Sequence, residues 1–194
     1  TSREFWMFIG TLVLLISAIQ ITSTTSIPVF NKVFGTNYAP PSNLIDHYNK
    51  WQIPIAAIIC LLIAVTQFFK YKKTKPEQFV KSIFLSVVVA TVVTVIYQWY
   101  MLLPRPQHVA LLFASVFAIA ANTDYFIRIL KGNIKHSGAS IAHVGVGLLL
   151  LGALISQSKQ EVISQNVNGI DLGKDFPNNE NIMLTKGDTL PMGN

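Results

Sequence analysis

The chain has 194 residues, 51% of them apolar and only 12% charged, with a mean hydropathy of +0.46. An average soluble domain carries about a quarter charged residues, so this composition excludes a disordered chain, a coiled coil and a nucleic-acid tail. The net charge of +6 and pI near 9.5 would point to a polyanion in a soluble protein, but in a membrane protein such an excess sets topology.

Five apolar stretches, each near the ~20 residues needed to cross a bilayer, predict an all-α polytopic membrane protein. Taken in chain order they are 5–21, 51–69, 82–103, 109–127 and 137–156. The first is followed by Thr and Ser rather than an A-x-A site, so it reads as a span and not a cleaved signal. The fourth is the weakest, because Asn122 and Asp124 interrupt its inner end. Between the first two spans lies a 29-residue connection, 22–50, with Pro28, Gly35, Pro40 and Pro41; it is too long for a turn. Pro104-Arg105-Pro106 is a stiff, tight loop. The tail, 157–194, is polar with short apolar runs such as Ile170/Leu172 and Ile182/Leu184, and predicts the start of a small β-rich extracytoplasmic domain. The start at Thr1 and the polar end at Asn194 suit a piece of a longer protein.

Alternating five spans collects Arg3, Lys70, Lys72, Lys73, Lys75, Lys81, Arg128, Lys131 and Lys135 on one side, nine of the 15 basic residues. Lys32, Lys50 and Arg105 fall opposite, with Lys159, Lys174 and Lys186 of the tail. The positive-inside rule then predicts an inner N-terminus and an outer tail. The basic excess needs no nucleic-acid partner. Aromatics such as Trp6, Phe69 and Tyr125 at one interface, and Trp51, Trp99 and Tyr100 at the other, agree with that frame.

No Walker loop, zinc spacing or nucleophile elbow occurs, and the catalytic residues are not identifiable. Gly145-Val146-Gly147 with Gly152 has the wrong spacing and setting for a dinucleotide loop. The lone Cys60 excludes an internal disulfide and a cysteine metal site, and reads as a packed thiol. Ionisable groups within spans are costly and so point to function. His143 stands about 10 Å inside the fifth span at 1.5 Å per residue. Ala139 and Gly147, four residues to either side, share its helix face. Small neighbours make room for a flat group such as a porphyrin, or else allow close helix packing with His143 bonded across the interface. The residues alone leave both open. His136 reads as a solvated interfacial histidine, and His47 and His108 as outer-side loop histidines. Asp124 and Arg128 form an i,i+4 pair.

The stretch HSGASIAHVGVGLLLLGALISQ, from His136 to Gln157, resembles the late span of CcmF-type cytochrome c biogenesis proteins, which carry an A-H-[LV]-G-V pattern. Ser2-Arg3-Glu4, the loop Tyr38-Ala39-Pro40-Pro41 and the run Leu184-Thr185-Lys186-Gly187-Asp188 resemble further elements of that family in order. The resemblance implies the C-terminal part of a haem lyase of the bacterial inner membrane, which receives haem outside and helps to attach it to apocytochrome c. It implies a b-type haem in the membrane with His143 as one axial ligand to the iron, the second ligand lying outside this segment. Ala139, Gly145 and Gly147 would shape its cavity. It further implies a haem-delivery chaperone and other cytochrome c maturation subunits as partners. The family's tryptophan-rich WWD loop has no counterpart here, and His47 falls where the family has an aromatic residue, so no haem role passes to it. The competing expectation is a membrane scaffold or transporter subunit without redox function, in which His143 only packs.

Overall fold

The computed structural model describes residues 2–70, 74–103 and 105–158, with 186, 187 and 189. Six α-helices follow in order: α1 (Arg3–Thr25), α2 (Ile27–Phe34), α3 (Leu44–Val65), α4 (Pro76–Met101), α5 (Pro106–Asp124) and α6 (Gly138–Ser158). All but α2 are long and apolar enough to cross a membrane. Among the described residues there is no strand, and the predicted β-rich tail lies almost wholly outside them. The chain divides into two compact units, Thr1–Ile155 and Ser156–Asn194.

Each predicted span matches a helix, and most helices run beyond the apolar core of their sequence. The cause is capping. Ser2 accepts a hydrogen bond from the Phe5 amide and Asn43 accepts one from the Asp46 amide, satisfying amides that a helix start leaves unpaired. Pro76 and Pro106 open α4 and α5, where the missing N–H costs nothing. These caps also shorten the connection 22–50. α1 runs on to Thr25, α2 occupies eight residues of it, and α3 starts at Leu44. Gly35, at φ 62°, ends α2 in the left-handed conformation that glycine adopts without strain. Pro54 lies inside α3; the carbonyl it leaves unbonded belongs to exposed Lys50, one turn back near the helix end.

The core is organised around α5. Half of its apolar window is buried, against none of that of α1. The neighbours meet it through small residues: Ala57, Cys60 and Ala64 of α3, and Ser86, Ala90 and Thr94 of α4. In a bilayer, helices gain little from burying apolar surface against one another, so close approach of backbones carries the packing. On α6 that approach occurs at Gly147. A Cβ there would lie 2.8 Å from Ile119 Cγ1 and 3.2 Å from the Ser115 carbonyl oxygen. Cys60 is fully buried, with its Sγ 3.9 Å from Ser115 Oγ, as expected of a packed thiol.

The weakest predicted span is therefore the most enclosed helix. Asn122, read as an interruption, is 0% exposed and belongs to α5. After Asp124 the chain changes to a π turn, Tyr125–Ile129, which is closed by the Leu130 amide bonding the Tyr125 carbonyl at 3.0 Å. Arg128 pairs with Asp124, as the i,i+4 spacing predicts, and also donates to the Ser82 carbonyl of α4 at 3.0 Å. At the other end of the bundle Arg105 pairs with Asp46 at 2.8 Å, linking the start of α5 to that of α3.

Candidate functional site

Asn122 is the hinge of the site. Its Nδ2 donates to the Ala118 carbonyl, 2.8 Å away on its own helix, and to the Ile63 carbonyl of α3 at 3.2 Å. With both amide protons used, Oδ1 is left as an acceptor. That oxygen lies 3.1 Å from His143 Nδ1 on α6. The imidazole must therefore carry its proton on Nδ1, which leaves the lone pair on Nε2. Among the described residues Nε2 makes no hydrogen bond. A ring fixed through one nitrogen with the other held as a neutral donor is the arrangement found in histidines that ligate metals.

His143 borders a cleft of about 450 Å³ between α1, the end of α3 and α6, within the range of about 300–1,000 Å³ typical of small-molecule sites. Met7, Leu14, Leu62 and Ile63 supply apolar walls, and Gly10 and Ala139 supply room. Trp6 and Tyr125 add aromatic surface. The Trp6 ring stacks on Phe69, with centroids 5.8 Å apart, and its Nε1 is buried without an acceptor among the described residues. Arg3 reaches the same cleft. The site thus combines a neutral imidazole donor, apolar and aromatic walls, an unpaired indole N–H and a guanidinium.

No family model, curated sequence or solved structure matches the chain.

The structure separates the residues that the sequence grouped. Ala139 lies on the cleft with His143. Gly147 does not; it is buried against α5, where it permits close packing. Gly145 is exposed, and a Cβ there would meet nothing within 4 Å. The physical reason is helical phase: Ala139, His143 and Gly147 are each 40° further round α6, enough for Gly147 to turn from the cleft to α5. His136, expected as a solvated interfacial residue, is exposed yet borders the cleft. It ends a 3-10 turn, Ile134–His136, that precedes α6. Among the described residues no group of three or more His, Cys, Asp or Glu can hold a bare ion.

His47 and His108 are remote from this cleft. His47 Nε2 sits 3.3 Å from Gln20 Nε2 and 3.4 Å from Thr24 Oγ1, at the end of a polar chain between α1 and α3. In that chain Ser17 donates to Gln52 Oε1 at 2.6 Å, and Gln52 donates to Gln20 Oε1 at 2.7 Å. His108 Nδ1 is buried without a partner among the described residues.

Sequence reasoning missed Asn122 and Trp6 as parts of the site. For Asn122 a signal existed: Ala114, Ala118 and Asn122 recur every four residues, which puts the amide on the small-residue face of its span rather than at its end.

Proposed function

We propose that the chain is part of a haem-handling protein of cytochrome c maturation, with a b-type haem held in the cleft beside His143. The observation that carries the reading is the Asn122–His143 hydrogen bond, which fixes a neutral imidazole with its Nε2 lone pair uncommitted. The cleft suits the group in its chemistry as well. His143 Nε2 would ligate the iron, and Met7, Leu14 and Leu62 would cover the apolar macrocycle. Arg3 and Trp6 Nε1 would meet the carboxylate side chains. When bound, a b-type haem supplies one-electron transfer, here to keep delivered haem reduced for thioether formation with cysteine thiols of apocytochrome c. The protein's own contribution is to orient His143, to hold its proton on Nδ1 and to exclude water with the α1 and α3 side chains. A haem-delivery chaperone and other maturation subunits would act on the outer side.

The distribution of basic residues supports a bacterial inner-membrane orientation with the N-terminus inside and the tail outside. A tagged form of the full chain expressed with a c-type cytochrome tests the assignment: apocytochrome c is expected to co-purify. A haem-containing chain that never retains apocytochrome c would be a haem protein of some other process. The second reading is a scaffold or transporter subunit without redox function, and one observation favours it: the Asn122–His143 bond also ties α5 to α6, as a structural clamp would. On that reading the chain binds no haem.

A further inference from the structure

A second cavity, of about 690 Å³, opens at the end of the bundle where α1 begins and α3 ends. Arg3, Lys70 and Lys81 border it, and no carboxylate occurs among its described lining residues. None of these three cations forms an ion pair among the described residues, in contrast to Arg105 and Arg128, which do. Three like charges brought to one pocket without a counter-charge repel one another, so the arrangement favours an anion.

Gln67 adds an independent sign. It is 8% exposed and borders the same pocket. Its Oε1 is taken by Ser140 Oγ, 3.2 Å away, while its Nε2 has no acceptor among the described residues. A buried amide N–H without a partner is costly, and an anionic oxygen admitted to the pocket would satisfy it. Ser82 and Thr74 also border the pocket, and hydroxyls serve oxyanions well. The remaining wall is aromatic. Phe69 stacks on Phe79, with centroids 4.6 Å apart, and Phe68 meets Tyr125 edge-on at 5.4 Å. Cations and hydroxyls beside aromatic rings, at the end of membrane-spanning helices, match a lipid headgroup at the level where headgroups lie.

We infer that this pocket binds the phosphate of an anionic phospholipid, with Lys70 and Lys81 as the main charge partners and Gln67 Nε2 as a buried donor. Acyl chains would lie along the apolar helix faces outside it. Arg3 and Gln67 border the haem cleft too, so lipid binding would also steady its floor. The inference itself rests on neither His143 nor a haem.

The test is native mass spectrometry of the full chain in detergent, titrated with phosphatidylglycerol or phosphatidylcholine. Phosphatidylglycerol is expected to be retained in preference to phosphatidylcholine. In Lys70→Gln/Lys81→Gln its affinity should fall roughly thirtyfold, the effect of two cations near a membrane surface. Lys131→Gln/Lys135→Gln removes the same charge from residues that do not border the pocket, and should leave retention unchanged. Gln67→Glu keeps an acceptor for Ser140 but adds a negative charge, and should weaken retention with helicity intact. Equal loss in both double variants, or equal retention of the two lipids, would overturn the site. Inorganic phosphate that displaced the lipid at concentrations comparable to the lipid's own would also overturn it, by showing a free-phosphate site instead.

Discussion

Asn122 does two jobs with one amide group. Its NH₂ spans α5 and α3, and its carbonyl fixes the His143 tautomer on α6. Partners that orient a metal-ligating histidine typically matter by 10–100-fold in affinity. Asn122→Ala is therefore expected to lower haem retention roughly 10–100-fold while leaving His143 in place, whereas Asn122→Asp, which keeps the acceptor for His143 but loses the protons given to the Ala118 and Ile63 carbonyls, should fall between Asn122→Ala and the wild type. Haem titration of the purified variants followed by absorbance checks both. Identical retention in the wild type and Asn122→Ala would show that the hydrogen bond is a packing tie alone. His143 stood out in the sequence because an imidazole inside a span is rare and expensive. Asn122 did not, because a neutral amide near a span end reads equally as a boundary; only the convergence of three helices gives it meaning.

Between elements, small residues decide how near the helices come. Gly147→Ala would place a methyl 3.2 Å from the Ser115 carbonyl oxygen and 2.8 Å from Ile119 Cγ1, and a backbone atom cannot rotate away. The expected cost is about 1–3 kcal/mol, read as a lower midpoint in thermal unfolding in detergent. Gly145→Ala, in open space, should be neutral or slightly stabilising because alanine is the better helix former. The two positions are about 200° apart round the helix, so the substitutions should differ in sign or size. The α1–α3 contact depends instead on the polar chain Ser17–Gln52–Gln20. Gln52→Leu should weaken it by about 0.6 kcal/mol, the average for hydrogen bonds between membrane helices, and by at most about 1.7 kcal/mol, and limited proteolysis between α1 and α3 reports on it. The pattern of spans could be read from hydropathy alone. The polar chain could not, since Gln20 and Gln52 are distant in sequence and carry no periodic signal.

At the scale of the whole molecule, the proposed direction of insertion rests on charge. Lys131 and Lys32 fall on opposite sides of the bundle, and Cys60 is fully buried. In intact cells a membrane-impermeant thiol reagent is expected to label Lys32→Cys and to spare Lys131→Cys; the reverse result would invert the proposed orientation. Five helices were legible because ~20-residue apolar runs have few alternative explanations in a chain with so little charge. Which helix lies at the centre was not legible. Apolar residues face lipid and protein alike, so hydropathy ranked the polar-tipped fourth span last although it is the most enclosed. The low charged fraction that first indicated a membrane still leads to the site, because the few polar groups inside the spans are where the helices are tied together. Whether His143 presents Nε2 to a b-type haem is read from a reduced-minus-oxidised absorbance spectrum. The full chain, purified from haem-replete membranes, is compared with His143→Ala at equal protein. A b-type α-band is expected in the wild type and lost in the variant; an equal band in both, or none in either, would rule out His143 as the haem ligand.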